Sequence, residues 1–109
     1  MGNQIKIIKS EAWVDTQPIQ PTPGGTLHVV IEFNGENRQA LLVKRVPQGI
    51  NPEILLLNLE YTANHILVNN PQTVEYTEEL PGSSNYYQSI EIYFEDNVVA
   101  EINNIPIIK

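Results

Sequence analysis

NPEILLLNLEYTANHIL, residues 51–67, is the stretch on which the fold class turns. Asn51-Pro52-Glu53 reads as a helix start, with an N-cap residue, proline at the first helical position and an acid in the first turn. Leu55, Leu56, Leu59, Ala63, Ile66 and Leu67 would then share one helical face. The same letters also carry a strand pattern, because Leu57, Leu59, Tyr61 and Ala63 alternate with Asn58, Glu60, Thr62 and Asn64. A helix would place Ile54, Leu57 and Tyr61 on a second apolar stripe that needs its own cover, so we favour the strand. A helix over about 52–67, giving an α+β protein, is the alternative.

Upstream, Thr26–Phe33 (TLHVVIEF) alternates Leu27, Val29, Ile31 and Phe33 against His28, Val30 and Glu32. The Asn34-Gly35 pair that follows predicts a hairpin, since both residues tolerate positive φ. An odd-length loop would bring Leu41 and Val43 to the face of Leu27, Val29 and Ile31, and set Glu32 near Arg38 outside. At the N-terminus, Ile5 and Ile7 alternate with Lys6, and the phase then slips at Ile8 so that Ser10, Ala12 and Val14 follow. Such a slip predicts a bulge or a change of sheet. Asp15–Gly25 (DTQPIQPTPGG) holds three prolines and reads as an extended connection at an edge.

Downstream, Thr73–Leu80 turns Val74 and Tyr76 inward, and Pro81–Asn85 is a loop. Tyr86–Phe94 faces Ile90, Ile92 and Phe94 one way and Ser89, Glu91 and Tyr93 the other. A three-residue turn, Glu95-Asp96-Asn97 with Asn97 left-handed, would align them with Val98, Ala100 and Ile102. Pro106 marks the last stretch as an edge strand. Residues 1–109 therefore read as a single all-β domain, an antiparallel β-sandwich of six or seven strands.

Composition narrows the function. The 109 residues carry 13 Asp and Glu against 6 Lys and Arg, a net charge of -7, and no cysteine. Disulfides, thiolate metal sites and thiol catalysis are excluded, and the acidic balance repels a nucleic-acid backbone. Charged residues are only 17%, and polarity rests instead on 12 Asn and 7 Gln. Fourteen isoleucines rule out a disordered composition. No apolar run approaches the ~20 residues of a membrane span, and no secretory signal is visible. The chain is thus either cytosolic or the mature part of an exported protein. Analogy with exported accessory domains favours an extracytoplasmic setting.

Leu80-Pro81-Gly82-Ser83-Ser84-Asn85-Tyr86 resembles the corner before the sixth strand of small immunoglobulin-like or fibronectin type III-like modules. The resemblance spans the chain at fold level. It implies that Tyr86 or Tyr87 bonds back to the loop through its hydroxyl, and it carries no functional residues across. Two features depart from the pattern: no cysteine pair is present, and Trp13 lies in the first strand.

Catalytic constellations are sparse. His28 and His65 are the only histidines and share no ligand spacing. Ser10, Ser83, Ser84 and Ser89 lie in no nucleophile elbow. Neighbouring acids in a strand, as at Glu78-Glu79, point to opposite faces, which argues against a paired-carboxylate site. Glu95-Asp96-Asn97 offers hard oxygen ligands for calcium without the spacing of a calcium loop. Gly24-Gly25 lacks the lysine and helix start of a phosphate cradle.

Binding signals are milder but present. Asn85, Tyr86, Tyr87, Gln88 and Tyr93 form a candidate tyrosine and amide surface of the kind used against proteins or glycans. Trp13 reads as a core residue in preference to a sugar platform. Ile105-Pro106-Ile107-Ile108 can pair as an edge strand with a neighbour. The expectation is a non-catalytic binding or spacer module with no metal, no cofactor, no nucleic-acid partner and no membrane span. A carbohydrate-recognition module is the second reading, and a small hydrolase or metal-dependent enzyme the third.

Overall fold

Period-two burial, not helical spacing, sorts residues 51–67. In the computed structural model, which describes residues 5–16, 25–64, 66–80 and 87–108, Ile54–Tyr61 is a strand. Leu55, Leu57 and Leu59 are buried, whereas Ala63, Ile66 and Leu67 of the would-be helical face are exposed. The helix start survives as a single turn: the Asn51 Oδ1 accepts from the Glu53 N–H at 3.0 Å, and the Asn51 carbonyl from Ile54 N–H at 3.2 Å. Burying one face of alternate leucines in a sheet overrides that local cap, and no helix occurs among the described residues.

Eight strands result among the described residues: β1 (Lys6–Asp15), β2 (Thr26–Asn34), β3 (Ala40–Lys44), β4 (Ile54–Tyr61), β5 (Gln72–Glu79), β6 (Ser89–Phe94), β7 (Asn97–Ile102) and β8 (Ile107–Ile108). They form two four-stranded sheets in the orders β5-β2-β1-β8 and β3-β4-β6-β7. The sandwich expected from alternation is therefore present, with one more strand than the upper count. The sheets are mixed where all-antiparallel ones were expected, because β4 pairs β6 and β1 pairs β8 in parallel. The core lies between the sheets. Leu27, Val29, Ile31 and Phe33 of β2 meet Leu55, Leu57 and Leu59 of β4 and Ile90 and Ile92 of β6, all essentially without solvent contact. Each such side chain contributes roughly 1.5–3 kcal/mol of burial free energy.

The phase slip at Ile8 is a bulge: Ile7 pairs Phe33, Lys9 pairs Glu32, and Ile8 stands outside the ladder. Pro106 precedes the expected edge strand, with the Pro106 carbonyl accepting from Val14 N–H at 2.9 Å. The proline-rich residues 17–24 and the loop residues 81–86 lie outside the described residues. The C-terminal hairpin also forms, pairing Ile90 with Ile102 and Ile92 with Ala100. Its turn is shorter than expected. Phe94 pairs Asn97, the left-handed residue is Glu95 (φ 59°) in place of Asn97, and a bulge sets Val98 opposite Tyr93.

Asn34-Gly35 makes no hairpin. Both edges of β2 are already occupied, by β1 and by β5, so the chain leaves the sheet and β3 starts the other one. This shifts the phase of β3, where Ala40 and Leu42 point inward and Leu41 outward, opposite to the expectation for Leu41 and Val43. Glu32 consequently lies between Lys9 and Thr73, while Arg38 reaches Glu36 and the Tyr61 ring. Side-chain amides secure these crossings by imitating a strand partner. Asn70 accepts from Gly35 N–H at 3.0 Å and donates to the Gly35 carbonyl at 2.7 Å. Gln72 accepts from Ala40 N–H at 3.1 Å and donates to the Arg38 carbonyl at 2.6 Å. An amide matches a peptide group donor for acceptor, so backbone groups that leave the ladder stay satisfied.

Candidate functional site

The loop between β3 and β4 presents the most unusual surface among the described residues. Val46–Pro52 (VPQGINP) is free of charge in an acidic chain. Gln48 fixes it: the side-chain amide donates to the carbonyls of Arg45 (2.6 Å) and Leu56 (2.8 Å), and its oxygen accepts from Leu56 N–H (2.9 Å). With the loop held to β4, Val46 is 88% and Ile50 104% exposed. Isolated exposed aliphatics are ordinary, but two on one pinned, uncharged loop are not.

Recesses flank Ile50 on both sides. One, of about 340 Å³, is walled by Lys44, Gln48, Pro52, Ile54 and Tyr87. The other, of about 230 Å³, is walled by Ile54, Leu56, Glu91 and Tyr93. Tyr87 and Tyr93, grouped by the sequence into one surface, thus border the same loop from different sides. Asn85 and Tyr86 lie outside the described residues.

The two tyrosines are engaged differently. Tyr87 packs against the core and donates to Glu78 Oε2 at 2.8 Å, and Tyr76 donates to Glu78 Oε1 at 2.7 Å. Burial first, and the hydrogen bond to the Glu78 carboxylate second, push both phenols well above their ordinary value. Lys44 Nζ, at 3.6 Å, also faces this carboxylate, so Glu78 links the two sheets. Tyr87 thus clasps a carboxylate in place of the expected bond back to the loop, because Glu78 points inward on the face of Val74 and Tyr76, away from exposed Glu79, and Tyr86, the other candidate for that corner, lies outside the described residues. Gln88 is exposed, and its N–H donates to the Glu53 carbonyl at 2.8 Å.

Tyr93 lies on the outer face of its sheet with the Arg45 guanidinium 4.2 Å over the ring. Its hydroxyl donates to Glu91 Oε1 at 3.0 Å, and that bond raises its pKa. Arg45 also donates to Asn58 Oδ1 at 2.7 Å, Asp96 Oδ1 at 3.0 Å and the Glu95 carbonyl at 3.4 Å. The Glu95–Asn97 turn, a candidate calcium loop in the sequence, thus directs the Glu95 carbonyl and one Asp96 carboxylate oxygen toward a guanidinium. Among the described residues no three His, Asp or Glu side chains converge.

His28 stacks on Trp13 with ring centroids 5.1 Å apart and planes 13° from parallel, and its Nδ1 lies 2.9 Å from Glu75 Oε2. Trp13 was expected in the core. It faces out because Ala12 and Val14 hold the inward positions of β1. Among the described residues no serine joins the acid beside His28: Ser10 pairs with Ile31 and shares the inward phase of Ala12 and Val14, and Ser89 lies on β6. His65, Ser83, Ser84 and Gly24 lie outside the described residues. Along the β1 edge a groove of about 530 Å³ runs between Ser10–Trp13 and Glu101–Pro106, but Ala12 within it is only 4% exposed.

No protein-family model, curated protein or solved structure matches the chain. What the fold defines is an all-β, two-sheet sandwich, and what distinguishes its surface is the Val46–Pro52 loop. Sequence reasoning found the tyrosines and missed Val46, Gln48, Ile50 and Glu78. The signal for the loop was readable: seven uncharged residues between Arg45 and Glu53, with Val and Ile set among Pro and Gly.

Proposed function

We propose that this chain is a non-catalytic, immunoglobulin-like β-sandwich module that binds a protein partner through Val46, Ile50 and the recesses beside them. It is immunoglobulin-like in having two packed sheets linked by connections that cross between them. Its two parallel ladders are a departure from that family's antiparallel pattern. The observation that carries the reading is the near-complete exposure of two aliphatic side chains on a loop that Gln48 holds in place. A preorganised apolar tip loses little conformational freedom on binding, and each side chain driven into a pocket gains roughly 1.5–3 kcal/mol. Polar rims around apolar centres are the usual anatomy of protein interfaces, and Lys44, Asn51 and Glu91 supply such a rim here. A protein is favoured over a glycan because Arg45 covers a face of Tyr93 and Glu78 takes the Tyr87 hydroxyl.

The test compares the native chain with Ile50→Glu in affinity capture from source cells. Ile50 touches little, so the variant keeps its thermal midpoint, and a surface change of this kind shifts stability by no more than about 0.5 kcal/mol. A partner that is retained by the native chain and lost with Ile50→Glu is the expected result. Identical partners with both chains would refute the assignment, as would a glycan array that binds both equally.

A further inference from the structure

Asn34-Gly35 is the one Asn–Gly pair among the chain's 12 asparagines. Asparagine before glycine is chemically labile. The main-chain nitrogen of the glycine attacks the asparagine side-chain carbonyl carbon, a C–N bond closes a five-membered succinimide, and the side-chain nitrogen leaves as ammonia. Water then opens the ring to aspartate, or to isoaspartate with the main chain rerouted through the side-chain carbon. Glycine matters because it has no Cβ to obstruct the attack. The attack also requires the glycine N–H to give up its proton and the asparagine backbone to rotate until the two atoms meet.

Both requirements are opposed here. The Gly35 N–H donates to Asn70 Oδ1 at 3.0 Å, and the Gly35 carbonyl accepts from Asn70 Nδ2 at 2.7 Å. Asn70 Nδ2 is itself held by Asn37 Oδ1, and the Glu36 N–H donates to the Tyr61 hydroxyl at 2.7 Å. Asn34 is the last residue of β2, paired with Lys6, and its backbone is fixed on the upstream side as well. The Asn34 side chain is exposed, so water is at hand for the ring-opening step.

We propose that Asn34-Gly35 is a latent deamidation site, and that the Asn70 side-chain amide holds it unreactive in the folded chain. Conversion would add one negative charge at the end of β2. The isoaspartate product would lengthen the main chain by one carbon between β2 and Gly35, and the paired contacts of Gly35 with Asn70 could not both be kept. The site therefore links the covalent age of the chain to the crossing from the first sheet to the second.

The full chain is incubated at mildly alkaline pH in three forms: native, Asn70→Ala, and native sequence unfolded in urea. Peptide mapping by mass spectrometry follows Asn34, with an isoaspartate assay as second readout. The native chain is expected to react slowest, the unfolded chain fastest, and Asn70→Ala roughly tenfold faster than native, the size expected when two hydrogen bonds no longer oppose the reaction. Equal rates for native and unfolded chains would overturn the proposal, as would an Asn70→Ala rate equal to native. If Asn70→Ala fails to fold, Asn70→Asp serves, since it keeps the acceptor for the Gly35 N–H and loses the donor. Its rate should fall between native and unfolded. A rate equal to either, with the strand circular dichroism intact, would overturn the role given to Asn70.

Discussion

A methyl group added at Gly35 would overlap the Tyr61 hydroxyl and come within 3.1 Å of Ile5 Cγ2 and 3.2 Å of Phe33 Cε2. Gly35 does not use the positive φ that makes Asn–Gly a hairpin signal. It is there because the backbone passes too close to its neighbours for a Cβ, and because the Tyr61 hydroxyl beside it must accept from Glu36 N–H. Gly35→Ala is therefore expected to cost about 1–3 kcal/mol, the size of an overpacking effect, read as a lowered urea midpoint. A substitution that left the midpoint unchanged would show that Tyr61 can move aside. The sequence marked this glycine correctly as special and assigned it the wrong reason, since φ permissiveness and lack of bulk are written with the same letter.

At the scale of the elements, amide side chains take the place of strand partners where the chain leaves a sheet. Gln48 does so for Leu56, Asn70 for Gly35, and Gln72 for Ala40 and Arg38. The chain's 12 Asn and 7 Gln, which in composition suggested only a polar surface, thereby acquire a structural role. Gln48→Ala removes three hydrogen bonds and leaves the Leu56 N–H without its acceptor. The expected loss is about 1–3 kcal/mol, with faster hydrogen exchange at Leu56 and no change at the centre of β6. Exchange rising equally in both strands would mean that the loop is not a separate unit. Element type was largely legible, since alternation located the greater part of β1, β2, β4, β5, β6 and β7. Pairing was less so: β2 and β3 have the right period for a hairpin, and only the prior claims of β1 and β5 on the edges of β2 forbid it.

For the whole molecule, the clasp at Glu78 ties one sheet to the other, joining Tyr76 of β5 to Tyr87 ahead of β6 and Lys44 of β3. Tyr76 and Tyr87 have folded-state pKa values raised above the ordinary phenol value of about 10, by burial and then by Glu78. The folded chain thus keeps protons that the unfolded chain releases. Stabilisation from this source is complete below about pH 10 and is lost as pH rises beyond it. Urea midpoints should fall steadily above that pH, and phenolate absorbance of these two rings should rise only with unfolding. Glu78→Gln, which removes the charge but keeps an acceptor, should flatten the decline, and a slope unchanged by it would assign the effect to burial alone. By itself the sequence favoured an all-β fold over the α+β alternative, excluded disulfides, and located the phase slip at Ile8 and the edge at Pro106. These are local properties, set by the period of side chains along one strand and by the backbone chemistry of single residues. Tertiary structure alone decided the two parallel ladders, the phase of β3, the outward turn of Trp13, the meeting of Tyr76, Tyr87 and Lys44 on Glu78 and the pinned tip at Ile50. Each of those depends on which strand occupies which edge and on which distant amide or carboxylate meets a given backbone or hydroxyl group, and distances between residues far apart in the chain are set only when the two sheets close on each other.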